Sequence, residues 1–199
     1  MNAIRFVAAA AALVVAAGAQ GATVPFTELF ANDAANWRDA GGGSLATWVS
    51  SGGPANSPYI TQATNVNNAN TGVVTAIRGS GAFSSSGGAF VGNWITDGVS
   101  TFSFDVRHNA PVPLNVAARF ASAANFPGAV AVNFIPILPN TWTTVTFAIS
   151  AANPQFVSFE GSNFAGVFSS ISNIQLAYSV PAGFEGSGLA IQFDADNIS

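Results

Sequence analysis

From Thr101 to Arg107 every second residue is apolar. Phe102, Phe104 and Val106 fall on one side of an extended chain, and Thr101, Ser103, Asp105 and Arg107 on the other. A period of two suits a strand with one dry face and one wet face, and it cannot be laid on a helix without scattering the apolar residues around it. The pattern recurs. Leu114, Val116, Ala118 and Phe120 alternate with Asn115 and Arg119; Val145, Phe147 and Ile149 share one side of a third run; Ile174, Leu176 and Tyr178 share one side of a fourth, and Leu189, Ile191 and Phe193 of a fifth. Weaker runs occupy residues 45–50, 59–64, 73–78, 130–134 and 156–159. Gly, Pro, Asn and Ser separate them, with Asp97-Gly98 and His108-Asn109 read as hairpin-type turns. No sustained helical period and no fixed repeat interrupts the series. The expectation is an all-β chain folded as a two-sheet antiparallel β-sandwich, or jelly roll.

Ahead of these runs lies a leader. One positive charge, Arg5, precedes an unbroken apolar stretch over residues 6–17, and the small residues Ala17-Gly18-Ala19 follow. Twelve helical residues reach only about 18 Å, short of a bilayer core. This three-part pattern predicts a signal peptide over residues 1–22, with the mature start between 20 and 23, and one domain over residues 23–199. The mature chain is then expected to be secreted, with no membrane span. Cysteine is absent from the sequence, so an exported domain of this size must hold itself by core burial.

Composition narrows function mainly by exclusion. Of 199 residues only 7% are charged, with five basic against nine acidic residues. Nucleic-acid binding needs clustered Lys and Arg, and no local cluster exists in the sequence. An enzyme is not expected. Glu160 and Glu185 stand isolated in loops, Asp105 and Arg107 read as a surface pair, and the single histidine, His108, reads as a turn residue rather than a base.

Three stretches carry a resemblance. They are Phe26-Thr27-Glu28-Leu29-Phe30 with the following Asn32-Asp33 and Asn36-Trp37; Pro139-Asn140-Thr141-Trp142 running into Thr143–Phe147; and the terminal Phe193-Asp194-Ala195-Asp196-Asn197-Ile198. Together they resemble the galactose-binding-like jelly roll used by many carbohydrate-binding modules and by exported bacterial proteins. The chain is also similar to exported proteins of the PEP-CTERM type. Their Pro-Glu-Pro sorting segment has no counterpart up to Ser199, so anchoring by that route is not expected. The resemblance implies a glycan or cell-surface polysaccharide as partner and a structural calcium ion. Glu28 and Asp196 match its ligand positions, and Asp194 and Asp33 are possible additions; the alternative is that these carboxylates are solvated charges on an edge strand. For sugar binding the candidate rings are Trp37, Trp48, Tyr59 and Trp94, all near Gly-, Asn- or Ser-rich segments, with Trp37 and Trp94 the expected exposed pair. Against this stands the general tendency of tryptophan to fill cores. A second reading is a self-associating structural or matrix protein, because so few charges leave sheet edges poorly protected.

Overall fold

The computed structural model describes residues 21–66 and 72–199. Most of the expected signal peptide and part of the polar loop after Asn65 therefore lie outside the described residues.

The fold is an all-β, two-sheet antiparallel sandwich with one short helix. In chain order the strands are β1 (Arg38–Asp39), β2 (Thr47–Val49), β3 (Tyr59–Asn65), β4 (Val73–Ser80), β5 (Thr101–His108), β6 (Val116–Ala121), β7 (Gly128–Val132), β8 (Thr143–Ala148), β9 (Phe156–Ser158), β10 (Asn173–Ser179) and β11 (Ala190–Asp196). Helix α1 covers Phe164–Phe168. Six strands form one sheet in the order β1-β4-β10-β6-β7-β9, and five form the other in the order β2-β3-β11-β5-β8. Among the described residues no helix is long and apolar enough to cross a membrane.

Each run of alternating residues became a strand because its apolar side had somewhere to go. In β5 the residues Phe102, Phe104, Val106 and His108 are buried, and the intervening ones are not. The inner faces of the two sheets meet over an aromatic cluster. Trp94 lies 5.4 Å from Phe120 and 6.0 Å from Phe102, ring centre to ring centre, and Phe168 stacks on Phe164 at 4.6 Å. Such pairs add about 0.5–1.5 kcal/mol each beyond the area they bury. One polar link crosses the core, where the Tyr178 hydroxyl and Thr64 Oγ1 lie 2.7 Å apart.

Two turn expectations are overturned. Neither Asp97-Gly98 nor His108-Asn109 joins a hairpin, since β5 pairs with β11 and β8 rather than with its chain neighbours. His108 is the last, inward-facing residue of β5. It is 1% exposed, Nδ1 accepts from the Ala110 N–H (3.2 Å) and Nε2 lies 3.2 Å from the Ile137 carbonyl. Burial lowers its pKa, so the neutral ring is the folded form.

Candidate functional site

The four candidate rings do not assemble. Trp37 and Trp94 are 0% and 1% exposed, and their indole N–H groups are spent on Ser86 Oγ (2.9 Å) and the Phe90 carbonyl (2.8 Å). The expectation of an exposed pair is overturned: both rings lie in the core, and a strand glycine lets the sheet close on one of them. A Cβ on Gly79 would sit 2.8 Å from the Trp37 ring. Trp48 lies on β2, an edge strand of its sheet, 36% exposed, with its N–H bonded to the Phe30 carbonyl.

Tyr59 does join a site, with a different tryptophan. The turn at Asn140 (φ 55°) delivers Trp142 to the start of β8, where its parity matches the outward Thr144 and Thr146. Trp142 meets Tyr59 edge to face at 5.4 Å, and the Arg107 guanidinium carbon lies 4.7 Å from the Trp142 ring centre and 5.1 Å from that of Tyr59. The corner is pinned: Trp142 Nε1 and Arg107 Nη1 both donate to the Gly52 carbonyl, at 3.0 and 3.2 Å. Arg107 Nε and Nη2 donate to Asp194 Oδ2 at 2.8 and 2.7 Å, and Gln192 Nε2 donates to Asp194 Oδ1 at 3.1 Å. Arg107 also lines a cavity of about 160 Å³ with His108, Asn109, Asn140, Gln192 and Asp194, of which neither ring is a wall. That is below the roughly 300–1,000 Å³ of a drug-sized site, a space for one small polar ring.

The carboxylates expected to hold calcium are engaged elsewhere. Asp194 belongs to Arg107, Asp33 accepts the Ala35 N–H and Glu28 accepts the Phe30 N–H. The edge-strand alternative fails as well, since β11 runs between β3 and β5 and Asp194 and Asp196 are 3% and 0% exposed. Among the described residues no group of three or more His, Asp or Glu side chains is placed to hold a metal ion. The four carboxylates expected as ligands are thus not brought together as one group among the described residues, although Glu28 is near enough for its charge to act on Asp196.

Asp196 accepts from Ser57 Oγ and the Asn197 N–H, yet burial, and after it the charges of Asp105 and Glu28, push its pKa up. A carboxyl with a raised folded pKa costs nothing below its ordinary value of 3.8 and destabilises the fold as pH rises through the raised one. Asp196→Asn is accordingly expected to raise the melting temperature at pH 7, by about 2–4 °C for each kcal/mol relieved, with the gain vanishing near pH 3. Thermal melts at both pH values check this. A lower melting temperature at pH 7 in the presence of Ca²⁺ would put a cation back at this carboxylate.

The outer face of the six-stranded sheet holds a second group that sequence reading missed. Register places Arg38, Arg78, Gln175 and Arg119 in one cross-strand row over β1, β4, β10 and β6. A bulge between Leu176 and Ala177 skips Ala76, which turns Thr75 onto the same face, where its Oγ1 lies 3.1 Å from the Gln175 amide. Arg119 is neutralised: Nε and Nη2 form a fork on Glu160, both at 2.6 Å, and the Asn125 carbonyl takes a further bond from Nη2 at 2.7 Å. A Cβ on Gly128 would lie 2.6 Å from Arg119 Nη2, so glycine lets the guanidinium lie flat on the sheet. Arg38 stacks on Phe83 at 4.4 Å and donates to the Gly42 carbonyl. Arg78 has neither arrangement. Burial and the Arg119 charge lower its pKa, against a smaller pull from Asp39.

No family model matches the chain, and no curated protein matches it. Among solved structures it is similar to the CBM22-1–GH10 modules of a Clostridium thermocellum endo-1,4-beta-D-xylanase complexed with xylohexaose, with 11% identity and a TM-score of 0.48 over 87% of this chain and 27% of that one. It is also similar to an agarase, with 12% identity and a TM-score of 0.43 over 76% of this chain and 22% of that one. The chain thus spans about a quarter of the length of the structures it matches.

Proposed function

We propose that the protein is an exported, non-catalytic sandwich that binds carbohydrate, and that its sugar site is the corner built from Trp142, Tyr59 and Arg107. The observation that carries this reading is the pinned, half-buried Trp142 ring packed on Arg107, the side chain that also walls a small cavity lined by Asn109, Asn140, Gln192 and Asp194. A pyranose presents C–H groups on its flat side and hydroxyls around its rim. An indole meets the first, and amide and carboxylate groups meet the second. Because Arg107 and Gly52 already fix the ring, little side-chain freedom is lost on binding. Export is proposed from the leader pattern of the first 22 residues.

The test is affinity electrophoresis through gels holding xylan, agarose, polygalacturonate or carrageenan. Retention in at least one gel is expected, and Trp142→Ala should weaken it at least tenfold while the circular dichroism spectrum stays that of a β protein. No retention in any gel, or retention unaffected by Trp142→Ala, would remove the corner as a sugar site.

One observation favours self-association as a second reading. Ile135 and Leu138 are 77% and 60% exposed beside β8, an edge strand of the five-stranded sheet, and Phe134, next to Ile135 in the chain, is 58% exposed. Sedimentation velocity across a hundredfold concentration range separates the two, since a monomer throughout is inconsistent with assembly through that edge.

A further inference from the structure

Of the four arginines after residue 20, three share one cross-strand row, in a chain whose formal charge is −4. Like charges side by side repel, and a sheet face gains nothing from them unless something negative lies across the row. Glu160 answers only Arg119; among the described residues neither Arg38 nor Arg78 makes an ion pair. Their Nε atoms are buried without a hydrogen-bond partner. Gln175, 4% exposed, marks the centre. Arg78 Nη2 and Arg119 Nη1 both lie 3.1 Å from one terminal atom of its amide, and Asn125 Oδ1 lies 2.8 Å from the same atom. Two guanidinium groups thus converge on one neutral amide. The neighbouring residues on this face are small and covered, Ala117, Ala121 and Ala177 being 0%, 0% and 1% exposed, so what the row offers a ligand is the half-buried arginine side chains.

We infer that this row is an anion-recognition site for the carboxylate or sulfate groups of an acidic polysaccharide, with Arg78 as the principal contact and Arg38 and Arg119 flanking it. A guanidinium binds such a group through two parallel N–H donors, and Arg78 is the member of the row with neither an ion pair nor a stacked ring. The row follows the direction across the strands, so neighbouring acidic residues of an extended glycan can meet Arg78 and Arg38, while Arg119 stays held by Glu160. The inference rests on the glycan-binding reading but uses the sheet opposite the Trp142 corner. It therefore adds a requirement on the ligand, that it be charged.

Binding to polygalacturonate, carrageenan and a neutral polysaccharide (xylan or agarose), measured for the wild type, Arg78→Gln and Arg78→Lys, tests it. Expected are acidic-polymer binding weakened at least tenfold by Arg78→Gln and partly restored by Arg78→Lys, loss of that binding between 50 and 500 mM NaCl, and neutral-polymer retention unchanged by either substitution. Should Arg78→Gln fail to fold, the salt dependence and Arg78→Lys carry the test. Acidic polymers bound no more tightly than neutral ones, or equally by wild type and Arg78→Gln, would overturn this inference and leave the glycan reading standing. No binding to any polymer would overturn both. Competition by free galacturonate or sulfate at the same anion concentration as the polymer would make this a small-anion site, and equal retention on single-stranded DNA would make it a general polyanion surface; either result overturns the polysaccharide assignment.

Discussion

Replacing Trp94 by alanine is expected to lower the unfolding free energy by about 3–5 kcal/mol, the usual cost of emptying a large aromatic site. In a domain of this size that corresponds to a fall in melting temperature of roughly 10 °C. The ring is 1% exposed and touches Phe102, Phe120 and Phe168, which come from strands of both sheets and from α1. These neighbours are themselves locked by further rings, so the site cannot collapse around the void. The Phe90 carbonyl would also lose the indole N–H that it accepts. Thermal melts followed by circular dichroism measure the effect. A variant that keeps its melting temperature within about 2 °C but no longer binds polysaccharide would make Trp94 a ligand platform and contradict its burial. The expected outcomes for Trp94→Ala and Trp142→Ala are thus opposite in kind, one a loss of stability and the other a loss of binding.

That contrast shows what local sequence can and cannot carry. Strands were readable because a period of two is a local property. Each of the ten alternating runs holds a strand, and only β1, two residues long and too short for any period, went unseen. Pairing is not local. The dipeptides Asp97-Gly98 and His108-Asn109 have the chemistry of hairpin turns, but β5 lies between β11 and β8, whose residues come much later in the chain. Which tryptophan would face outward was unreadable for a related reason. A glycine opposite a ring serves close packing as well as an open loop, and Gly79 against Trp37 is the former. The arginine row needed register above all. Arg38, Arg78 and Arg119 are about forty residues apart from one to the next, and only the pairing of β1, β4, β10 and β6 sets them side by side. One signal was available: Arg119 sits at an outward position of its strand, opposite in parity to Ala118 and Phe120. Arg78 gave a weaker hint, because the bulge at Ala76 breaks the alternation of β4.

The same row supplies the second large effect, at Glu160. Its carboxylate forks on Arg119, and both side chains are mostly covered, at 17% and 22% exposed. Glu160 holds a left-handed backbone conformation (φ 48°), uncommon for a residue other than glycine, which fits a turn shaped to bring this carboxylate in. Hydrogen bonding to Arg119 leads the causes that hold its carboxyl below the usual range, against the opposing effect of burial. A carboxyl with a depressed folded pKa stabilises the fold fully above its unfolded value, and the contribution is lost as pH falls through the folded one. Glu160→Gln should therefore cost about 1–2 kcal/mol at pH 7, less than a fully buried pair because water still reaches both groups. The gap in melting temperature between variant and wild type should narrow below the ordinary carboxylate value of 4.5. The same substitution frees Arg119 beside Arg78, so acidic-polysaccharide affinity should rise several-fold while stability falls. Melts from pH 3 to 8, paired with polygalacturonate binding at pH 7, read both effects. A gap that persists undiminished at pH 3 would mean that Glu160 acts through packing, and unchanged affinity would mean that Arg119 takes no part in anion recognition.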